Sequence, residues 1–197
     1  LWMFRNNGDN SFTAVFQGQY SYWEWQRMSN ISAGDFNNDG FADLAAFYNM
    51  DNGKVNLWMF RNNGNNSFTA VFQGQYSYWD WSRISNITGG DFNNDGFADL
   101  AAFYNMDNGK INLWVFNNNG NSTFSAQFMG QYTYWEWQRI SNITSGDFNN
   151  DGFTDIAAFY NMDNGRINLW NFINNGTGGF NYIYDGSSTY REWSRMS

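Results

Sequence analysis

The chain has no cysteine, no histidine and no proline. Without cysteine there is no disulfide framework and no thiolate nucleophile or metal ligand. Without histidine the commonest general base and the commonest transition-metal ligand are missing as well. Positive charge is scarce: 10 basic residues face 18 acidic ones, a formal net charge of −8. Such a balance repels a phosphate backbone, so nucleic acid is excluded as the expected partner. No apolar run approaches the ~20 residues of a membrane-spanning helix. No signal peptide is visible, and the chain starts at Leu1 rather than methionine, which reads as a mature or excised segment.

What the chain does have is aromatic bulk, 22% of its 197 residues, enough for a packed core. It also repeats itself. "LWMF" at 1 and 57, "LWVF" at 113 and "LWNF" at 169 set a period of 56. Residues 1–56 differ from 57–112 at seven positions: Asp9/Asn65, Glu24/Asp80, Gln26/Ser82, Met28/Ile84, Ser32/Thr88, Ala33/Gly89 and Val55/Ile111. Forty-nine of 56 positions are therefore identical, and the units must share one structure. The third copy diverges further, and the last is short and the most altered.

Each unit reads as four short strands. "DLAAFYN" (43–49) and "KVNLWMF" (54–60) are β-branched and aromatic, with a tight hairpin at "MDNG". "SFTAVFQG" follows a second Asn-Gly turn, and "RMSNISAGDF" carries the remaining strand. Helical periodicity with caps is missing, so the fold class is all-β. Four antiparallel strands per 56 residues is the size of a β-propeller blade; a β-solenoid or stacked hairpins is the alternative. Three complete blades are expected at about 30–72, 86–128 and 142–184, after an isolated half-blade at 1–16. The repeat array then divides as 1–29, 30–85, 86–141 and a truncated 142–197. A propeller hides its edge strands by closing a ring. Further blades, from the same longer chain or from other copies, are the expected partners.

"GDFNNDGFADL" (34–44) returns at 90–100 and, as "GDFNNDGFTDI", at 146–156. Counting from Asp35, side-chain oxygens fall at positions 1, 3, 5 and 9 (Asp35, Asn37, Asp39, Asp43), with Gly40 at position 6 turning the Phe41 carbonyl inwards. That is the ligand order of a calcium loop, without the helices or the final glutamate of an EF-hand. Asp91, Asn93, Asp95, Phe97 and Asp99 repeat the set, as do Asp147, Asn149, Asp151, Phe153 and Asp155. Three structural Ca²⁺ ions would take the formal charge from −8 to −2. A metal-free cluster of Asx turns, in which Asp and Asn cap backbone amides, is the competing reading.

The second recurring stretch is "QYSYWEWQR" (19–27), again as "QYSYWDWSR" (75–83) and "QYTYWEWQR" (131–139). As an extended connection between blades it would project Trp23, Trp25 and Arg27 one way and Tyr22, Glu24 and Gln26 the other. An aromatic platform with a few charged groups suits the apolar face and hydroxyl rim of a sugar. Candidate carbohydrate-binding residues are Tyr22, Trp23, Trp25 and Arg27, then Tyr78, Trp79, Trp81 and Arg83, then Tyr134, Trp135, Trp137 and Arg139. The same tryptophans would serve equally as packing between blades, with Arg27 paired to Glu24. Trp2, Trp58, Trp114, Trp170 and the phenylalanines of "AAFY" read as packing residues. The final copy, "TYREWSR" (189–195), puts Arg191 where tryptophan stood, so its site should be altered or lost.

"GDFNNDGFADL" followed by "AAFY" and "LWMF" resembles the FG-GAP/VCBS class of propeller repeats. Together with "YWEWQR" the chain is similar to the seven-bladed bacterial lectins of the Photorhabdus type, and more distantly to a fungal propeller lectin. The resemblance implies calcium-bearing blades and glycan pockets between them, lined by tryptophan and tyrosine. It departs from that family in carrying three and a half blades rather than seven.

Asn-x-Ser/Thr sequons stand at Asn30, Asn65, Asn86, Asn121, Asn142 and Asn175. Carboxylates such as Glu24 and Asp35 could be imagined as a glycosidase dyad, but sequence fixes no separation between them. The expectation is a secreted or cell-surface, calcium-stabilised, non-catalytic module that binds glycans at repeated sites. The alternative is a structural or protein-interaction module on the same scaffold.

Overall fold

The structure is a computed structural model that describes residues 1–162 and 166–188. Its 14 strands form one two-stranded and three four-stranded sheets, all antiparallel. β1 (Trp2–Asn6) pairs with β2 (Phe12–Phe16) as the half-blade. The first full blade is β3 (Met28–Gly34), β4 (Asp43–Asn49), β5 (Lys54–Asn62) and β6 (Phe68–Asp80). The second runs β7 (Ile84–Gly90), β8 (Asp99–Asn105), β9 (Lys110–Asn118) and β10 (Phe124–Glu136). The third is β11 (Ile140–Gly146), β12 (Asp155–Asn161), β13 (Ile167–Asn174) and β14 (Phe180–Ser188). Each is an up-and-down four-stranded sheet, the unit of a propeller blade.

Turn chemistry sets the registers. Met50 and Lys54 close the β4–β5 hairpin, and Gly53, at φ +75°, takes the left-handed position of a three-residue loop. At the first strand of each blade a bulge falls on Asn30, Asn86 and Asn142, all with positive φ. The outer strand is longer than its alternation suggests. β6 shifts register between Leu57 and Trp58 and again between Lys54 and Val55, which carries it on to Asp80.

The core lies between blades. Phe47, Leu57 and Val55 of the first blade pack against Leu100, Ala102 and Phe116 of the second, all fully buried. Phe103, Leu113 and Ile111 meet Ile156 and Phe172 across the next junction in the same way. Each such side chain contributes about 1.5–3 kcal/mol of burial, so the blades are stabilised chiefly by their neighbours. The first junction is packed by β1 and β2 alone among the described residues. Ile31 is accordingly 48% exposed where its counterpart Ile87 is 8% exposed. An apolar cavity of about 320 Å³ opens there, lined by Leu1, Phe16, Ile31, Leu44 and Phe60 among others.

Candidate functional site

The aromatic stretch is extended only up to its second tryptophan in the second and third copies. Gln75 to Asp80 belong to β6, and Trp81–Arg83 form a 3-10 turn, as do Trp25–Arg27 and Trp137–Arg139. In the first copy, residues 17–24 form no strand. In the second copy Tyr76 and Asp80 are held in the strand by pairing with Val55 and Lys54.

The turn separates side chains that an extended chain would align. Trp79 and Trp135 are buried, and each enters an aromatic cage of the following blade: Trp79 meets Tyr104, Trp114 and Phe116, and Trp135 meets Tyr160, Trp170 and Phe172. Trp23 makes the same contacts with Tyr48, Trp58 and Phe60. These three tryptophans serve inter-blade packing. The arginines are held in ion pairs: Arg27 with Glu24 at 3.0 Å and with Asp51, Arg83 with Asp80 at 3.8 Å and with Asp107, Arg139 with Glu136 at 2.7 Å. Tyr22, Tyr78, Tyr134 and Trp25 instead stand out from the surface, at 95%, 94%, 85% and 85% exposure. Trp81 and Trp137 are half-buried. The terminal copy with Arg191 lies outside the described residues.

A line of hydrogen bonds anchors the same stretch. The Tyr76 hydroxyl donates to the Phe124 carbonyl at 3.2 Å, and Tyr132 repeats this on Phe180 at 3.5 Å. Burial pushes the Tyr76 phenol up to about 12 and raises that of Tyr132 further, so both remain protonated donors. The Trp81 N–H donates to Gly53 and the Trp137 N–H to Gly109, each at 2.8 Å, which fixes the turn against the β4–β5 or β8–β9 hairpin.

The acidic loops are closed by hydrogen bonds of the Asx-turn kind. Asp35 accepts from the N–H groups of Asp39 and Gly40, Asn37 from Asp39, and Asp39 from Phe41, at 2.8–3.1 Å. Asp91, Asn93 and Asp95 make the same set with Asp95, Gly96 and Phe97, and Asp147, Asn149 and Asp151 with Asp151, Gly152 and Phe153. The ninth-position carboxylates Asp43, Asp99 and Asp155 are fully buried. Asp99 accepts from Asn118 at 2.7 Å and from Phe92 at 3.1 Å. Asp155 is held in the same way by Asn174 and Phe148. Burial pushes the Asp99 carboxyl up to about 7, with Asp95 and Asp91 adding repulsion; Asp43 and Asp155 are raised for the same reasons. Among the described residues no three carboxylates converge into a ready metal cage. In number and hardness the oxygen donors fit a divalent cation, and Asp43 Oδ2 is buried without a partner.

Each loop is also a joint between blades, which its sequence does not announce. The Asn118 side-chain NH₂ donates to the Phe36 carbonyl at 2.7 Å, and Asn174 does the same to Phe92. Ala98 N–H donates to the Asp35 carbonyl at 2.9 Å. Asn118 and Asn174 are buried polar residues 82 positions from their partners, beyond the reach of any local pattern.

The FG-GAP-like repeat family matches residues 35–102 and 91–158, spans that take in all three acidic loops, the whole second blade and parts of the first and third. The chain belongs to this family of propeller repeats. Among curated proteins, none matches it. No helix of the described residues is long and apolar enough to cross a membrane.

Proposed function

We propose that the chain is a calcium-stabilised, carbohydrate-binding propeller segment, resembling the Photorhabdus-type lectins, that acts outside the cell or at its surface. The observation that carries this reading is the division of labour among the aromatics. In each described repeat one tryptophan is spent on packing, while a neighbouring tyrosine, and Trp25, Trp81 or Trp137, keep solvent-accessible faces beside charged side chains. Exposed aromatic rings edged by donors and acceptors are what a sugar face and its hydroxyls require. Repetition at a 56-residue period supplies several equivalent sites, so weak single-site affinity would be raised by avidity on a glycan-bearing surface.

Calcium in this reading is held by Asp35, Asn37, Asp39, Asp43 and the Phe41 carbonyl, and by the corresponding residues of the other two loops. It supplies charge neutralisation to a loop whose buried carboxylate is otherwise penalised. Its role is structural, and the module is non-catalytic: Glu24, the one acid of the imagined dyad outside the loop, is engaged by Arg27.

A second reading is a protein-interaction module, in which the exposed Tyr22, Trp25, Tyr78 and Tyr134 contact another protein. A glycan array probed with the calcium-loaded, folded chain separates the two. Selective retention by defined glycans supports the lectin reading; silence across the array supports the interaction module.

A further inference from the structure

Beside Trp137 lies a polar cleft of about 210 Å³, lined in part by Asn105, Asn108, Lys110, Glu136 and the indole itself. It is built where the β8–β9 hairpin meets the end of β10. Lys110 and Glu136 are register partners, and the Trp137 N–H bond to Gly109 locks the indole's turn to that hairpin. The volume is below the several hundred Å³ of drug-sized pockets and suits one sugar ring. We propose that this cleft, and its counterpart at Asn49, Asn52, Lys54, Asp80 and Trp81, is where a neutral pyranose binds through two adjacent hydroxyls. The inference rests on the carbohydrate-binding reading and assigns its site.

Three observations carry it. Lys110 Nζ and Glu136 Oε1 stand 3.9 Å apart, a donor beside an acceptor, while the other Glu136 oxygen is held by Arg139 at 2.7 Å. One hydroxyl accepts from the ammonium while its neighbour donates to the free carboxylate oxygen, a pairing that suits a neutral diol. The Asn105 carboxamide oxygen is buried without a hydrogen-bond partner, and so are those of Asn49 and Asn161 at the same place in the other blades. The Asn105 oxygen is closed off from solvent, so the polar contacts open to a ligand in the cleft are those of Asn108, Lys110 and Glu136. Asn108 Oδ1 already accepts from the Lys110 N–H at 3.0 Å, which leaves only its NH₂ to donate to a ligand. Trp137, half-buried and packed against the core, lines the cleft and supplies its apolar surface to the C–H side of the ring.

The two clefts are not equal. Asp80 is one methylene shorter than Glu136 and holds Lys54 in a 2.7 Å ion pair, so the two groups there are engaged with each other where Lys110 and Glu136 stand 3.9 Å apart. The second site should therefore bind more tightly. The third copy has Arg166 in the lysine position, and its tryptophan, Trp193, lies outside the described residues.

The test is titration of the calcium-loaded chain with methyl glycosides of the common neutral hexoses, followed by saturation-transfer NMR and by binding of the best glycoside's polymer. Wild type should bind at least one of them. W81A/W137A should lose at least tenfold in affinity, and K110Q, which leaves the indole in place, should lose several-fold without a change in melting temperature. Asp80→Glu should tighten binding. Wild-type binding that W81A/W137A and K110Q leave unchanged would overturn the site while leaving the lectin reading intact. Retention of charged glycans alone would overturn the neutral-diol assignment, and no binding by wild type would sink both.

Discussion

The side chain of Asn118 reaches back across 82 residues to donate to the Phe36 carbonyl at 2.7 Å, tying the outer turn of one blade to the acidic loop of the blade before it. The same amide donates to the Ala98 carbonyl at 3.1 Å and its oxygen accepts from the Gly120 N–H at 3.0 Å, so every polar atom of the carboxamide is used. Asn118→Ala leaves several buried backbone groups unpaired and should cost about 2–4 kcal/mol. Asn62, at the same position of the first blade, donates to the Ala42 carbonyl at 3.1 Å and makes no bond to another acidic loop among the described residues. Asn62→Ala should cost about 1 kcal/mol, and thermal melts of the two variants test the difference.

Trp79 and Trp81 are two residues apart and should fail differently. Trp79→Ala empties an aromatic cage and should cost about 3–5 kcal/mol, a fall in Tm on the order of 10 °C. Trp81→Ala removes a half-buried ring and should cost about 1 kcal/mol or less. Equal losses in the two melts would contradict the separation of packing from surface roles.

One of the seven differences between the first two repeats, Ala33 against Gly89, sits at a blade junction. A methyl group at Gly89 would stand 2.6 Å from the Ala33 carbonyl oxygen. Backbone has to give way, so Gly89→Ala should destabilise by about 1–3 kcal/mol. Ala33→Gly removes only a methyl group and should cost about 1 kcal/mol or less. Denaturant midpoints of both variants check this.

Calcium should act on the same joints as Asn118. At a free concentration about 100-fold above Kd, each bound ion adds about 2.7 kcal/mol, so chelation should lower Tm by several degrees per occupied loop. Asp95→Ala should remove one ion from the calorimetric stoichiometry and leave the other two. A melt unchanged by excess EGTA would refute a structural ion.

The blades were legible because repetition and turn residues agree. "DLAAFYN" is strand β4 from Asp43 to Asn49 as its composition predicts, and the Asn-Gly turns fall where expected. The length of the outer strand was not legible, since two register shifts in β5–β6 break the alternation that a strand pattern relies on. The roles within "YWDW" were obscured for a related reason: a 3-10 turn starts between its two tryptophans, so period-2 logic assigns them to one face. Lys110 carries no local signal of a site because its partner Glu136 is 26 residues away. The acidic loops announce their oxygen donors directly, whereas their inter-blade function depends on Asn118 and Asn174, which the repeat brings in from the following blade.

The most direct measurement is glycan-array binding of the intact chain in calcium and again after chelation, on samples whose fold is followed by circular dichroism. Selective binding to neutral glycans that falls as EGTA loosens the blades is the predicted result. A folded, calcium-loaded chain that retains no glycan would contradict the account and leave its exposed aromatics as contacts for another protein.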